Sequence, residues 1–345
     1  MLLDLRRSRL ARQLAVVESA IVDLLTAAAA AGEDSGYEEL MAHWPHPRGP
    51  SRASVEGLLG LSPKQRGELR DAVAADLAFE RGFERPGFQF AFPLLDPDAQ
   101  AAGRALLGSM YKVFTAYGFD LPSGERVDRR RWEEAFRQAN PGLRVCPACL
   151  ISNLDERIGG RSAVDADHYL PKSSYPPLAV NGLNLVPVCK QCNEVAKLEK
   201  DPLGSPPDLF GVWFPYKRHG LDELDPVFSL AAGRTATVRF AAIPGAERRA
   251  ELFDAVFALS ERWSRQLEGI HASLVREVLL RARPEVATDV RRELEMIAEI
   301  KEGDVANGAA AYVHASYCRW IAKTPTALEG LVAEVEDSRA RRSPG

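Results

Sequence analysis

Long apolar runs are missing from this chain. No stretch approaches the roughly 18 apolar residues of a membrane span, so no membrane partner is expected. Arg6, Arg7, Arg9 and Arg12 precede an Ala-rich segment, as in a secretory leader, but Glu18 and Asp23 interrupt it. The segment therefore reads as an amphipathic helix of a cytoplasmic protein. A strong charge of one sign is also missing. The formal charge of −4 excludes a surface coated in positive potential and leaves nucleic-acid binding to local charge. There is no internal repeat, which excludes a solenoid, and no low-complexity tract beyond Ala27–Ala31. Cysteine is scarce, five in 345 residues, and four of the five fall in two close pairs. In a cytoplasmic chain such pairs indicate metal rather than disulfides. The fifth, Cys318 among Tyr317, Arg319 and Trp320, reads as a packed, inert thiol.

What is present is a globular composition, 46% hydrophobic and 27% charged, in a chain long enough for two or three structural units. Helical spacing runs through 8–31 (Leu10, Leu14, Val17, Ile21, Leu24) and ends near Gly32. Ser51 and Ser62-Pro63 mark helix starts, the second opening a helix through Arg81. Residues 83–93 read as an aromatic connector, Asp96-Pro97 opens a helix towards Tyr117, and Asp128 opens one through Gln138. His43 and His46, around Trp44, read as surface or structural. Beyond the centre, Phe228 to Ile243 suggests a hairpin around Gly233-Arg234. A long helix follows from Glu247 to about Arg281, then helices over 285–302, 305–321 and 326–340. The expected class is α+β: a mainly helical chain with a small metal-bound core. It divides into a helical region 1–125, a core 126–220 and a mainly helical region 221–345.

The two cysteine pairs are Cys146/Cys149 and Cys189/Cys192, C-x2-C motifs separated by 39 residues. Four thiolates on two tight turns complete a tetrahedral Zn2+ site with no open coordination position, so its role is structural. Between the pairs, Val164-Asp165-Ala166-Asp167-His168-Tyr169 reads as a strand. Adjacent strand residues face opposite ways, so Asp167 and His168 share a site only near a strand end or bulge; Pro171 supplies an end. A Pro-, Ser- and Gly-rich loop over 171–183, a returning strand Asn184–Val188 and a short helix Lys190–Lys200 complete the segment.

This strand–loop–strand–helix segment resembles the HNH (ββα-metal, His-Me finger) endonucleases, in the subtype with a four-cysteine zinc site. The resemblance is carried by "DADHYLPKS", by the asparagine of "NLVPVC" and by "CNEVAK", where Asn193 directly follows Cys192. It covers about 60 of 345 residues. It implies a metal-dependent hydrolase of phosphodiester bonds in DNA, with RNA open, and an embedded HNH core. By resemblance, Asp167 and Asn193 each give an oxygen to one catalytic Mg2+ or Mn2+, and His168 is the general base. Asn184 takes the place of the middle asparagine that fixes the loop and orients the histidine; Asn181 competes for that role. Asp165 is either a water-mediated helper of the cation or a solvated carboxylate. Such segments often occur in bacterial phage-defence and mobile-element nucleases, which gives antiviral defence as an analogy.

From Arg129 to Arg218 the chain holds 13 Lys and Arg against 10 Asp and Glu, locally basic inside an acidic whole. Arg161, Lys172, Lys190 and Lys197 are the candidates for substrate phosphate contacts, with Lys200 beside them. The Trp213-Phe214-Pro215-Tyr216 cluster either packs beneath the site or stacks on substrate, and His219 is a weaker candidate for an extra catalytic group. No base-reading element is evident. The helical flanks suggest a homodimer or a regulatory partner such as an NTPase. The alternative reading is a zinc-stabilised nucleic-acid or protein interaction module with an inactive site.

Overall fold

The computed structural model describes residues 9–32, 35–121, 123–154, 164–217, 220–230, 236–281 and 287–341. Helix α1 (Arg9–Ala30) buries Val17, Ile21, Leu24 and Leu25, the stripe that its helical spacing marks. After a five-residue α2 (Tyr37–Met41), α3 (Arg52–Leu59) starts at Ser51, whose hydroxyl accepts the Ser54 N–H. Helix α4 (Pro63–Leu77) opens with a full capping box between Ser62 and Gln65. It stops at Leu77 rather than Arg81, because the chain tightens there into a 3-10 turn, Phe79–Phe83. Helix α5 (Pro97–Ala116) is capped by Asp96, which accepts the Asp98 and Ala99 N–H groups. A two-stranded ribbon, β1 (Phe119–Asp120) with β2 (Arg126–Val127), leads to α6 (Arg129–Ala139), capped by Asp128.

The centre is an antiparallel pair, β3 (Val164–His168) and β4 (Leu185–Cys189), in the register Val164 to Cys189 and His168 to Leu185. A seven-residue π-helical segment, Gln191–Lys197, follows directly and is called the site helix below. A second hairpin, β5 (Val227–Leu230) with β6 (Ala236–Arg239), lies where alternation marks it; its expected turn at Gly233-Arg234 is outside the described residues. The single helix expected from Glu247 to Arg281 is two, α7 (Glu247–Phe257) and α8 (Leu259–Arg281). The break is at Ala258, in the left-handed conformation, and the Asp254 carboxylate caps the new start by accepting the Ser260 N–H and hydroxyl. Helices α9 (Ala287–Gly303), α10 (Ala311–Lys323) and α11 (Pro325–Ala340) complete the chain; α10 begins six residues later than its expected start at 305. The class is α+β, mainly helical, with three small antiparallel sheets among the described residues.

Both flanks press on the central pair. The turn Pro176–Leu178, in the loop between β3 and β4, packs on α4 and α5, and α7 packs on the site helix. Trp213, Phe214 and Tyr216 are buried: the Tyr216 hydroxyl donates to the Leu185 carbonyl at 2.7 Å, and the Tyr169 hydroxyl donates to the Trp213 carbonyl. The cluster thus packs under the hairpin. Lys217 ties this underside to the first region through Glu80 (3.2 Å) and Glu84 (3.5 Å). His46 is structural, one ring nitrogen on the Asp120 carbonyl and its ring against Trp44 and Phe119. Cys318 is fully buried, and burial raises its thiol to about 12. No described helix is long and apolar enough to cross a membrane.

Candidate active site and metal centre

The four expected sulfur ligands converge. Cys146 Sγ lies 3.7 Å from Cys192 Sγ and Cys149 Sγ 3.9 Å from Cys189 Sγ, and all four fall within 4.8 Å of one another. Disulfides need about 2.05 Å. A tetrahedral tetrathiolate with bonds of about 2.3 Å has edges of about 3.8 Å, which these separations match. The chemistry of the set also calls for a cation. Burial and the three neighbouring sulfurs push Cys146 well up from the usual thiol range, so four thiolates cannot coexist there without compensating charge. Part of that charge comes from outside the motif. Arg262, on α8 and almost fully buried, donates from Nη1 to Cys192 Sγ (3.2 Å) and to the Phe257 carbonyl (3.2 Å). Its neighbour Trp263 donates from the indole N–H to the Cys149 carbonyl at 2.9 Å. The cluster can hold a metal ion, and among the described residues it is the one such group of histidine, cysteine and carboxylate ligands.

The second site lies at the other end of the hairpin. His168 is the last residue of β3, and the chain bends immediately after it. That strand end lets Asp167 and His168, adjacent in sequence, line one polar cavity of about 210 Å³. Asn193 lines it from the site helix, one residue past Cys192.

Within this cavity His168 is 6% exposed, and one ring nitrogen, Nε2, lies 2.9 Å from the Ala179 carbonyl. A carbonyl only accepts, so in the neutral ring Nε2 carries the proton and Nδ1 keeps a free lone pair. Burial lowers the histidine to about 4, against the opposing pull of the Ala179 bond and with help from the charges of Lys172, Lys197 and Arg129. The ring is therefore neutral at physiological pH, with one nitrogen available to take a proton.

The loop that supplies this carbonyl is pinned by Asn184. Fully buried, Asn184 accepts the Leu170 N–H at Oδ1 (2.8 Å) and donates from Nδ2 to the carbonyls of Leu170 (3.0 Å) and Leu178 (3.2 Å). It thus fastens the exit of β3 to the residue before Ala179. Asn181 makes only a local turn, accepting the N–H groups of Leu183 (2.9 Å) and Asn184 (3.2 Å). Of the two candidates, Asn184 is the one that bridges the ends of the loop.

The basic candidates separate. Lys197 is 1% exposed, its ammonium 3.1 Å from Asp167 Oδ1 in a buried ion pair. Lys172 is exposed and lies 4.9 Å over the ring of Tyr111, beside the cavity. Lys190 is exposed, and Lys200 donates to the Ala255 and Val256 carbonyls at the end of α7. Arg161 and His219 lie outside the described residues, as does the side chain of Asp165.

Tyr111 and Arg129 are among the cavity residues that escaped the sequence reading as site residues, as are Glu194, Leu198 and Glu199. Tyr111 on α5 meets the His168 ring edge to face at 4.7 Å, and Arg129 opens α6 with its Nε 3.3 Å from Glu133. Neither belongs to a motif; the only signal was that Arg129 begins the locally basic window.

Comparison of the chain with protein-family models, curated proteins and solved structures gave no match. The functional reading therefore rests on the site itself.

Proposed function

We propose that the protein is a metal-dependent endonuclease of the HNH type that hydrolyses phosphodiester bonds in DNA. The observation that carries the reading is the His168–Ala179 hydrogen bond in a cavity shared with Asp167 and Asn193. It gives a neutral imidazole whose other nitrogen can take a proton from an attacking water, a contribution of roughly 10²–10⁴ in rate. Asp167 and Asn193 offer hard oxygen donors suited to Mg2+ or Mn2+, which commonly keeps waters and substrate phosphate as its remaining ligands. When bound, such a cation supplies electrostatic stabilisation of the phosphate and the leaving oxygen. Asn184 keeps the Ala179 carbonyl, and hence His168, in place. The four-cysteine cluster is a structural Zn2+ site that fixes the start of the site helix and therefore Asn193.

Incubation of supercoiled plasmid with the protein in Mg2+, Mn2+ or EDTA, beside His168→Ala and Asn193→Ala, tests this. Cation-dependent cutting lost in both variants supports it; full activity of folded His168→Ala sinks it.

One observation favours a second reading, a zinc-stabilised interaction module whose site does not turn over. The Lys197 ammonium already neutralises Asp167 and competes with a divalent cation for the same oxygen. A folded, zinc-loaded protein that binds DNA and cuts under none of these conditions would support that reading. For either reading, the family resemblance suggests phage defence as the setting, the amphipathic N-terminal segment goes with a cytoplasmic location, and the helical flanks go with an NTPase or homodimeric partner.

A further inference from the structure

The site helix ends in a strained turn. Leu198 has φ 51° and ψ −124°, the first central position of a type II′ turn. The Lys200 N–H donates to the Lys197 carbonyl at 2.9 Å to close it. Glycine is the residue that takes this conformation without a steric penalty; a leucine here holds strain. Burial does not offset that strain, because Leu198 is 57% exposed, and Val195, three residues earlier, is 68% exposed. The turn has two opposite effects. It sends Lys197 inward to Asp167 and leaves Leu198 outward, on the rim of the cavity that holds Asp167 and His168. Exposed charge lining the cavity is mixed, Lys172 with Glu194 and Glu199, so charge alone does not make this edge a phosphate grip. Its distinctive offering to a ligand is apolar.

We propose that Leu198, backed by Val195, is an apolar wedge that presses on the sugar–base edge of duplex DNA beside the phosphate to be cut. This rests on the nuclease reading and adds to it a determinant of where the enzyme cuts. DNA is the occupant because the wedge is continuous with the cavity proposed to hold the phosphate. Apolar side chains that enter the minor groove act by partly unstacking a base step. Pyrimidine–purine steps unstack most readily, so the wedge favours cutting next to TA and CA steps.

Leu198→Gly is the decisive variant, since it removes the wedge and relieves the turn together. Its binding to a short fluorescein-labelled duplex with a central TA step is measured by anisotropy on the zinc-loaded protein with no Mg2+ or Mn2+ added. Cut positions are mapped in Mn2+, and thermal unfolding is recorded. The expected result is binding about tenfold weaker, a flattened distribution of cuts and an unfolding midpoint no lower than that of the parent. Leu198→Met keeps an apolar side chain and should retain binding and cut pattern. Parental affinity and cut pattern in Leu198→Gly would overturn the wedge while leaving the nuclease reading intact, and would turn attention to a protein partner for this edge. If the parent binds without cutting, the binding comparison alone decides. A parent that neither binds nor cuts overturns the wedge and the nuclease reading together.

Discussion

The ammonium of Lys197 sits 3.1 Å from Asp167 Oδ1, both side chains almost fully removed from solvent. Removing one member of such a pair leaves a buried charge uncompensated, which typically costs about 3–5 kcal/mol. Lys197→Met should therefore destabilise the protein by about 3 kcal/mol, and Lys197→Met with Asp167→Asn by less than the sum of the two single changes. Urea unfolding of the four proteins measures the coupling. The pair also makes a functional prediction. If Lys197→Met stays folded, the loss of the competing ammonium should lower the Mn2+ concentration that half-saturates cleavage. An unchanged Mn2+ requirement would show that the cation does not use the Asp167 oxygen.

Metal removal should act on the fold before it acts on chemistry. The cluster joins Cys146 and Cys149, ahead of β3, to Cys189 and Cys192 at the end of β4 and the start of the site helix. Structural zinc sites contribute on the order of 10 kcal/mol to folding. Metal analysis should find one zinc per chain. Cys149→Ser should lose it, together with a large part of the thermal stability and all ordering of Asn193. Arg262→Met should keep the metal but unfold at a lower temperature, because the Cys192 sulfur loses its buried donor. Zinc content unchanged in Cys149→Ser would refute the four-sulfur site.

Asn184 and Asn181 give a controlled comparison. Asn184→Ala removes three buried hydrogen bonds and leaves the Leu170 N–H and carbonyl without their partner, while the Leu178 carbonyl keeps the Asn181 N–H, each bond being of order 1 kcal/mol or more. A loss of about 3 kcal/mol is expected, along with cleavage reduced through misplacement of the Ala179 carbonyl. Asn181→Ala removes one local turn and should cost about 1 kcal/mol. Equal effects in the two variants, measured by urea unfolding and plasmid nicking, would remove Asn184 from its positioning role.

Much of this was legible from sequence because it is local. Ser51, Ser62, Asp96 and Asp128 each announce a helix by the hydrogen bond their short side chains offer, and each caps one. The cysteine spacing and the order of Asp167, His168, Asn184 and Asn193 can be read along the chain, and the fold brings these residues to one hairpin and one helix. What could not be read has no local signature. No glycine or proline marks the break at Ala258; it is an alanine in a left-handed conformation between two amphipathic stretches. Tyr111 reaches His168 across 57 residues and Arg262 reaches Cys192 across 70. Periodicity carries no information about contacts between distant helices. The burial of Lys197 was equally hidden, since a lysine near the end of a short charged helix reads as solvated.

Stability should also carry a pH dependence that originates far from the site. Glu18 on α1 is half-buried, and burial, with Glu80 as a like-charged neighbour, raises its carboxyl to about 8. The unfolded chain gives up this proton near 4.5, the folded chain near 8. Between those values the folded state binds more protons, so stability falls as pH rises from about 4.5 to about 8 and stays reduced above that. Glu18→Gln removes the ionisation and keeps the shape. It should stabilise the protein at pH 8.5 by more than about 1 kcal/mol, a discounted fraction of the shift because the group is only partly buried, and change little at pH 4.5. Urea midpoints at the two pH values provide the measurement. A gain of equal size at both would mean that folding leaves the Glu18 proton affinity unchanged and would overturn the raised carboxyl.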